Sequence, residues 1–135
     1  SAYLDVPNSP LFPFGFGLGY TSFELGAASI SGSIDAGIEV SVPVTNTGSR
    51  DGGTVVQCYV EAPVDGPRRP RRELRGFAKV RAAAGETVTA TMWLPERAFA
   101  VWDVAAHGWV VPAGAYHVLV GSSSRDLHPA GSVVC

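Results

Sequence analysis

The chain has 135 residues, 46% hydrophobic and 16% charged, with a formal net charge of −2. That balance describes a folding chain rather than a disordered one, and it is too short for a (β/α)₈ barrel, which needs about 200 residues. No strong positive field draws it to nucleic acid or an anionic membrane, and no apolar run reaches the length of a membrane span.

Residues 1–20 read as a connector from a preceding domain. Prolines 7, 10 and 13 and glycines 15, 17 and 19 break helix and strand alike, while Phe12, Phe14, Phe16 and Tyr20 are too aromatic for a solvated tail. The opening SAYLDVPNSP has neither the basic nor the apolar region of a signal peptide.

Residues 21–128 carry strand patterning. Phe23 to Ile30 is the first and weakest run. Ile38 to Thr45 alternates, with Ile38, Val40, Val42 and Val44 on one face. Pro43 has no N–H for a ladder, so its amide position must meet an edge or a bulge. Asn46-Thr47-Gly48 makes a turn. Thr54 to Glu61 points Val56, Cys58 and Val60 inward. Glu73 to Arg81 is a fourth run, bulged near Gly76. Thr87 to Leu94 turns Val88, Ala90, Met92 and Leu94 inward. Glu96 to Trp102 allows a single helical turn, and Phe99 to Asp103 and Trp109 to Val111 flank a turn at His107-Gly108. Tyr116 to Val120 closes the set, and residues 129–135 read as a C-terminal tail. About seven short strands separated by turn signals predict an all-β sandwich of the immunoglobulin or fibronectin type III kind.

Few residues invite chemistry. The Gly15–Gly19 run lacks the strand and helix that aim amides at a phosphate. His107, His117, His128, Cys58 and Cys135 have no metal-ligand spacing, so no metal or other cofactor is expected, and the two cysteines read as free thiols. Asp103 and Asp126 are the most suggestive carboxylates, but turn capping or pairing with Arg125 explains them better than catalysis. Ser122-Ser123-Ser124 lacks a nucleophile elbow. Arg68, Arg69, Arg71 and Arg72 form the one charge cluster, held extended by Pro67 and Pro70; it reads as a solvated loop or an ion-paired contact to a neighbouring domain. Trp93 falls on the outward face of its strand, where it could stack on a sugar ring or meet a protein; Trp102 and Trp109 are assigned to the core.

PLFPFGFGLGYTSF, VTNTGSRDGGTVVQCYV, RRPRRELRGFAKV, AGETVTATMWL, the Trp102-Asp103 pair and VPAGAYHVLVGSSSRDL occur in that order. Together they resemble the fibronectin type III-like domain at the C-terminus of family 3 glycoside hydrolases, the β-glucosidase and β-xylosidase family. The resemblance covers nearly the whole chain and implies a seven-stranded sandwich without catalytic residues of its own. The family's nucleophile and acid/base lie in other domains, and no residue here matches either role. Cys58 stands where the family often has an aliphatic residue, a fair exchange because a buried thiol is a small hydrophobe.

The resemblance implies a non-catalytic accessory domain whose partners are the parent's catalytic domains or a second subunit, with no nucleic acid and no membrane involved; the compartment follows the parent's. Phe12, Phe14, Phe16, Tyr20, Arg69 and Arg72 are the expected interdomain contacts, and the loop from Pro63 to Arg72 is long enough to approach a substrate cleft. The competing reading is a carbohydrate-binding sandwich with Trp93 as its stacking residue.

Overall fold

The computed structural model describes residues 21–63 and 71–135. These form β1 (Phe23–Leu25), β2 (Ser29–Ser33), β3 (Gly37–Asn46), β4 (Gly52–Glu61), β5 (Arg72–Ala82), β6 (Thr87–Leu94), β7 (Val101–Asp103), β8 (Gly108–Val110), β9 (Ala115–Gly121) and β10 (Leu127–Val134), with a short 3₁₀ helix at Glu96–Phe99. One sheet sets β3 between β6 on one side and β1 and β2 on the other; the second runs β10-β9-β4-β5. Every pairing is antiparallel. β7 and β8 form a separate hairpin between β6 and β9 in sequence.

The period-two pattern decides which side chains meet. Ile38, Val40, Val42 and Val44 from β3 face Val56, Cys58 and Val60 from β4 and Tyr116, Val118 and Val120 from β9, all within one core cluster. Phe99, from the 3₁₀ turn, meets Tyr116 edge-to-face with ring centroids 5.5 Å apart. The Tyr116 hydroxyl donates to the Pro112 carbonyl four residues upstream, closing a tyrosine corner at the start of β9. Burial pushes that phenol above its ordinary range, so it stays a donor.

The expected first strand from Phe23 to Ile30 is two strands. β1 pairs with β3 as far as Leu25↔Val44, and β2 takes over at Ser29↔Ser41. The break falls opposite Pro43, whose carbonyl accepts from Gly26 N at 2.8 Å. N–H and carbonyl of one strand residue point the same way, so the proline's missing donor faces the interruption and the ladder loses nothing. Residues 129–135, expected as a tail, belong largely to β10, which is irregular between Pro129 and Gly131 and forms the edge beside β9. Pro129 and Gly131 hid that strand in the sequence; a bulged edge tolerates both. The bulge expected near Gly76 is present: Cys58 pairs with Gly76, and the register shifts immediately after Cys58.

Asn46 is the buried polar residue of the interior, at 0% exposure. Its carboxamide donates to Arg50 O at 2.7 Å and Ala82 O at 3.0 Å, and accepts from Gly48 N at 2.9 Å and the Thr21 hydroxyl at 2.7 Å. Its backbone N–H donates to Glu86 O, and its carbonyl accepts from Gly85 N. One side chain thus ties the end of β3 to the end of β5 in the other sheet, to the β3–β4 turn and to the start of the described chain. The Thr21 side chain lies against Gly48 and Gly52, where an added Cβ would stand 2.0 Å from its Oγ1 and 2.5 Å from its Cγ2.

Replacing Asn46 by Ala leaves several of these groups buried without partners, and the expected loss of stability is about 3 kcal/mol. Urea unfolding of N46A beside the parent chain measures it; an unchanged midpoint would show that water replaces the carboxamide freely.

Candidate functional site

The two ends of β3 define two poles. Asn46 and Thr21 mark one; Gly37 lies at the other, about 30 Å away at the rise of an extended strand. The far pole also holds the end of β4, the start of β5, the 3₁₀ turn and the end of β6, because antiparallel pairing brings Glu61 opposite Arg72 and Ile38 opposite Leu94.

All three tryptophans are exposed and collect there, while Phe77, also exposed, lies midway along β5 opposite Gln57. Trp93 is 59% exposed, on the outer face of β6 opposite Glu39. Its six-membered ring covers the backbone of Gly37, where a Cβ would come within 2.1 Å of Cζ2; the φ of +106° at Gly37 also requires glycine. Trp102 and Trp109, assigned to the core from sequence, are 52% and 69% exposed. They are a cross-strand pair on the β7–β8 hairpin, stacked edge-to-face at 5.6 Å. Their apolar character misled the assignment: the hairpin stands outside both sheets, so neither of its faces is a core face.

Trp93 and Trp109 line a cleft of about 440 Å³ with Arg75, Pro95, Arg97 and Ala98. Arg75 Nε donates to Ala98 O at 2.9 Å, and its Nη2 pairs with Glu73. The guanidinium is thereby pinned to both β5 and the 3₁₀ turn. Sequence reasoning found Trp93 but not its neighbours; the alternation in β5 carried no signal that Arg75 and Trp93 share a rim.

The other expected sites separate cleanly. Phe12, Phe14, Phe16, Tyr20 and Arg69 lie outside the described residues. Arg72 Nε pairs with Glu61 at 2.8 Å across the β4–β5 ladder, and its side chain remains half exposed. Asp103 caps its turn, accepting from Ala105 N and Ala106 N. Asp126, expected to cap a turn or pair with Arg125, meets His128 two residues on, at 3.3 Å. Glu24, Asp126 and His128 line a second cleft of about 300 Å³ with Phe23, Leu25 and Val55, and all three are exposed. His117 faces outward and bonds Ser132 Oγ at 2.8 Å. Among the described residues no cluster of His, Cys, Asp or Glu could hold a metal ion.

Residues 54–124 match the fibronectin type III-like domain family. The chain is 45% identical over 126 residues to a β-glucosidase of Rhizobium radiobacter, covering 92% of this chain and 15% of that protein. It is 44% identical over 129 residues to the thermostable β-glucosidase B of Acetivibrio thermocellus, covering 93% and 17%. Among solved structures, DesR, a β-glucosidase of Streptomyces venezuelae in complex with D-glucose, superimposes with a TM-score of 0.76 at 39% identity, over 93% of this chain and 16% of that one. The chain therefore spans about a sixth of the length of the relatives it matches.

Both cysteines are free; Cys58 is buried and Cys135 exposed. Burial pushes the Cys58 thiol up to about 12. The neutral thiol is the folded form's species, so its contribution to stability is whole below the ordinary thiol range and is lost as pH rises from about 9 towards 12. A thiol reagent at pH 8 is expected to modify Cys135 promptly in the native chain and Cys58 only after denaturation; two fast thiols in the native state would contradict the packing of β4.

Proposed function

The chain belongs to the fibronectin type III-like domain family, and from that premise we propose that it serves as a non-catalytic accessory domain of a family 3 glycoside hydrolase. The parent in this reading is β-glucosidase-like and hydrolyses terminal β-glycosidic bonds. One observation carries the reading: 92% of the chain aligns with only 15% of a β-glucosidase, so its likeness is to a part of such an enzyme.

The work of such a domain is mechanical. Catalytic carboxylates set about 1 Å out of place can lose about 100-fold in rate, and a rigid sandwich packed against the domains that carry them limits that drift. The fixed pole at Asn46 suits the task, because Thr21 is held by a hydroxyl bond and by contact with Gly48 and Gly52. A connector leaving that point starts from a defined position and direction. Its aromatic residues Phe12, Phe14, Phe16 and Tyr20, with Arg69 and Arg72, are the contacts we assign to the parent's catalytic domains; a second subunit is the other neighbour in reach of such contacts.

The test is made in the longer parent enzyme. Phe14→Ser with Phe16→Ser is expected to lower its melting temperature by several degrees and to reduce turnover of a nitrophenyl β-glucoside after mild heating, while the isolated chain turns over none. An unchanged melting temperature, or hydrolysis by the chain alone, would contradict the reading.

A further inference from the structure

We propose that the cleft between Trp93 and Trp109 is a binding site for β-linked glucose oligosaccharides. The choice of sugar rests on the accessory-domain reading above; the site itself rests on the geometry of the far pole.

Three large indoles exposed on one end of a small domain are more apolar surface than a fold needs. The β7–β8 hairpin makes the excess plain, since Trp102, Val104 and Trp109 are 52%, 75% and 69% exposed and add little to the interior. The platforms are also held in place. Trp93 rests on the Gly37 backbone, and Trp109 is braced by Trp102. Arg75 is pinned by the Ala98 carbonyl and Glu73, with further guanidinium N–H groups left for the cleft. Aromatic groups that are ordered before binding lose little freedom when a ligand arrives.

The chemistry of the cleft fits a pyranose better than it fits an apolar protein patch. A β-glucosyl ring carries its substituents equatorially, so both faces are bare C–H surfaces that lie on an indole, while its hydroxyls ring the edge. Two indoles and a guanidinium lining one cleft offer apolar surface for the rings and donors for the hydroxyls. A volume of about 440 Å³ lies within the range of small-ligand sites. The nearer residues of the cleft, Trp93 and Arg75, lie more than about 20 Å along the strands from the Thr21 end, well away from the place where the chain enters β1.

The chain is titrated separately with cellotetraose, laminaritetraose and the α-linked maltotetraose, following tryptophan fluorescence and the indole N–H signals by NMR. Saturable binding of at least one β-linked oligosaccharide is expected at up to about 10 mM, a weak affinity suited to a shallow site. The indole signals of Trp93 and Trp109 should shift further than that of Trp102. Trp93→Ala is expected to weaken binding by about tenfold or more. The NMR shifts in the unsubstituted chain decide the matter even where Trp109→Ala unravels the hairpin. No saturable change with either β-linked sugar, equal binding of maltotetraose, or full affinity in W93A would overturn the proposal. So would shielding of both indoles from acrylamide in the longer parent, which would give the face to a protein neighbour. None of these results bears on whether the connector supports catalysis, which the Phe14 and Phe16 variants test separately.

Discussion

A single carboxamide closes one end of this sandwich. Hydrophobic alternation brings the two sheets together, but alternation alone does not say where the ends must stop. Asn46 does, because it is fully buried and its hydrogen bonds reach Thr21, Gly48, Arg50 and Ala82 at once. A buried amide left partly unpaired costs more than the bonds it forms contribute, so the surrounding turns are confined to the arrangement that satisfies it. The path of the chain into β1, the β3–β4 turn and the β5–β6 turn all follow from that confinement.

The opposite pole is organised by different forces. Gly37 opens the space for Trp93, the cross-strand tryptophan pair stiffens a hairpin that has no core beneath it, and Arg75 joins β5 to the 3₁₀ turn. Ile38, Leu94 and Phe99 bury this end of the core beneath, while the three tryptophans stay exposed above it. The molecule is thus a stiff β-sandwich with a locked pole where the chain arrives and an aromatic pole some 30 Å distant. The proposed support role draws on the first pole and the proposed ligand site on the second, and the strands between them keep the two apart.

Much of this was legible in the sequence. Alternation in β3, β4, β6 and β9 identified the inward residues correctly, since each of those strands has one face on the core. Pro43 announced a break in the ladder, which the division between β1 and β2 supplies. The ordered set of turn motifs points to the fibronectin type III-like family, and the match over residues 54–124 bears this out. What stayed hidden depended on contacts between distant segments. Asn46 read only as a turn residue, because its partners at Thr21 and Ala82 are 25 and 36 positions away. Trp102 and Trp109 read as core, because nothing local shows that their hairpin stands apart from both sheets. Arg75 and Trp93 share a rim only because β5 and β6 lie against each other where the sheets meet.

Amide hydrogen exchange at the turns around Asn46 tests the central claim most directly. Turn amides ordinarily exchange fast, so protection there has few other causes. The N–H groups of Gly48 and Gly85, which donate to the Asn46 side chain and carbonyl, are expected to exchange only as slowly as the whole chain unfolds, matching Val42 and Val118 in the core. Exchange at those two sites orders of magnitude faster than in the core would mean that the pole frays, and that the sandwich is not held at the point where the chain enters it.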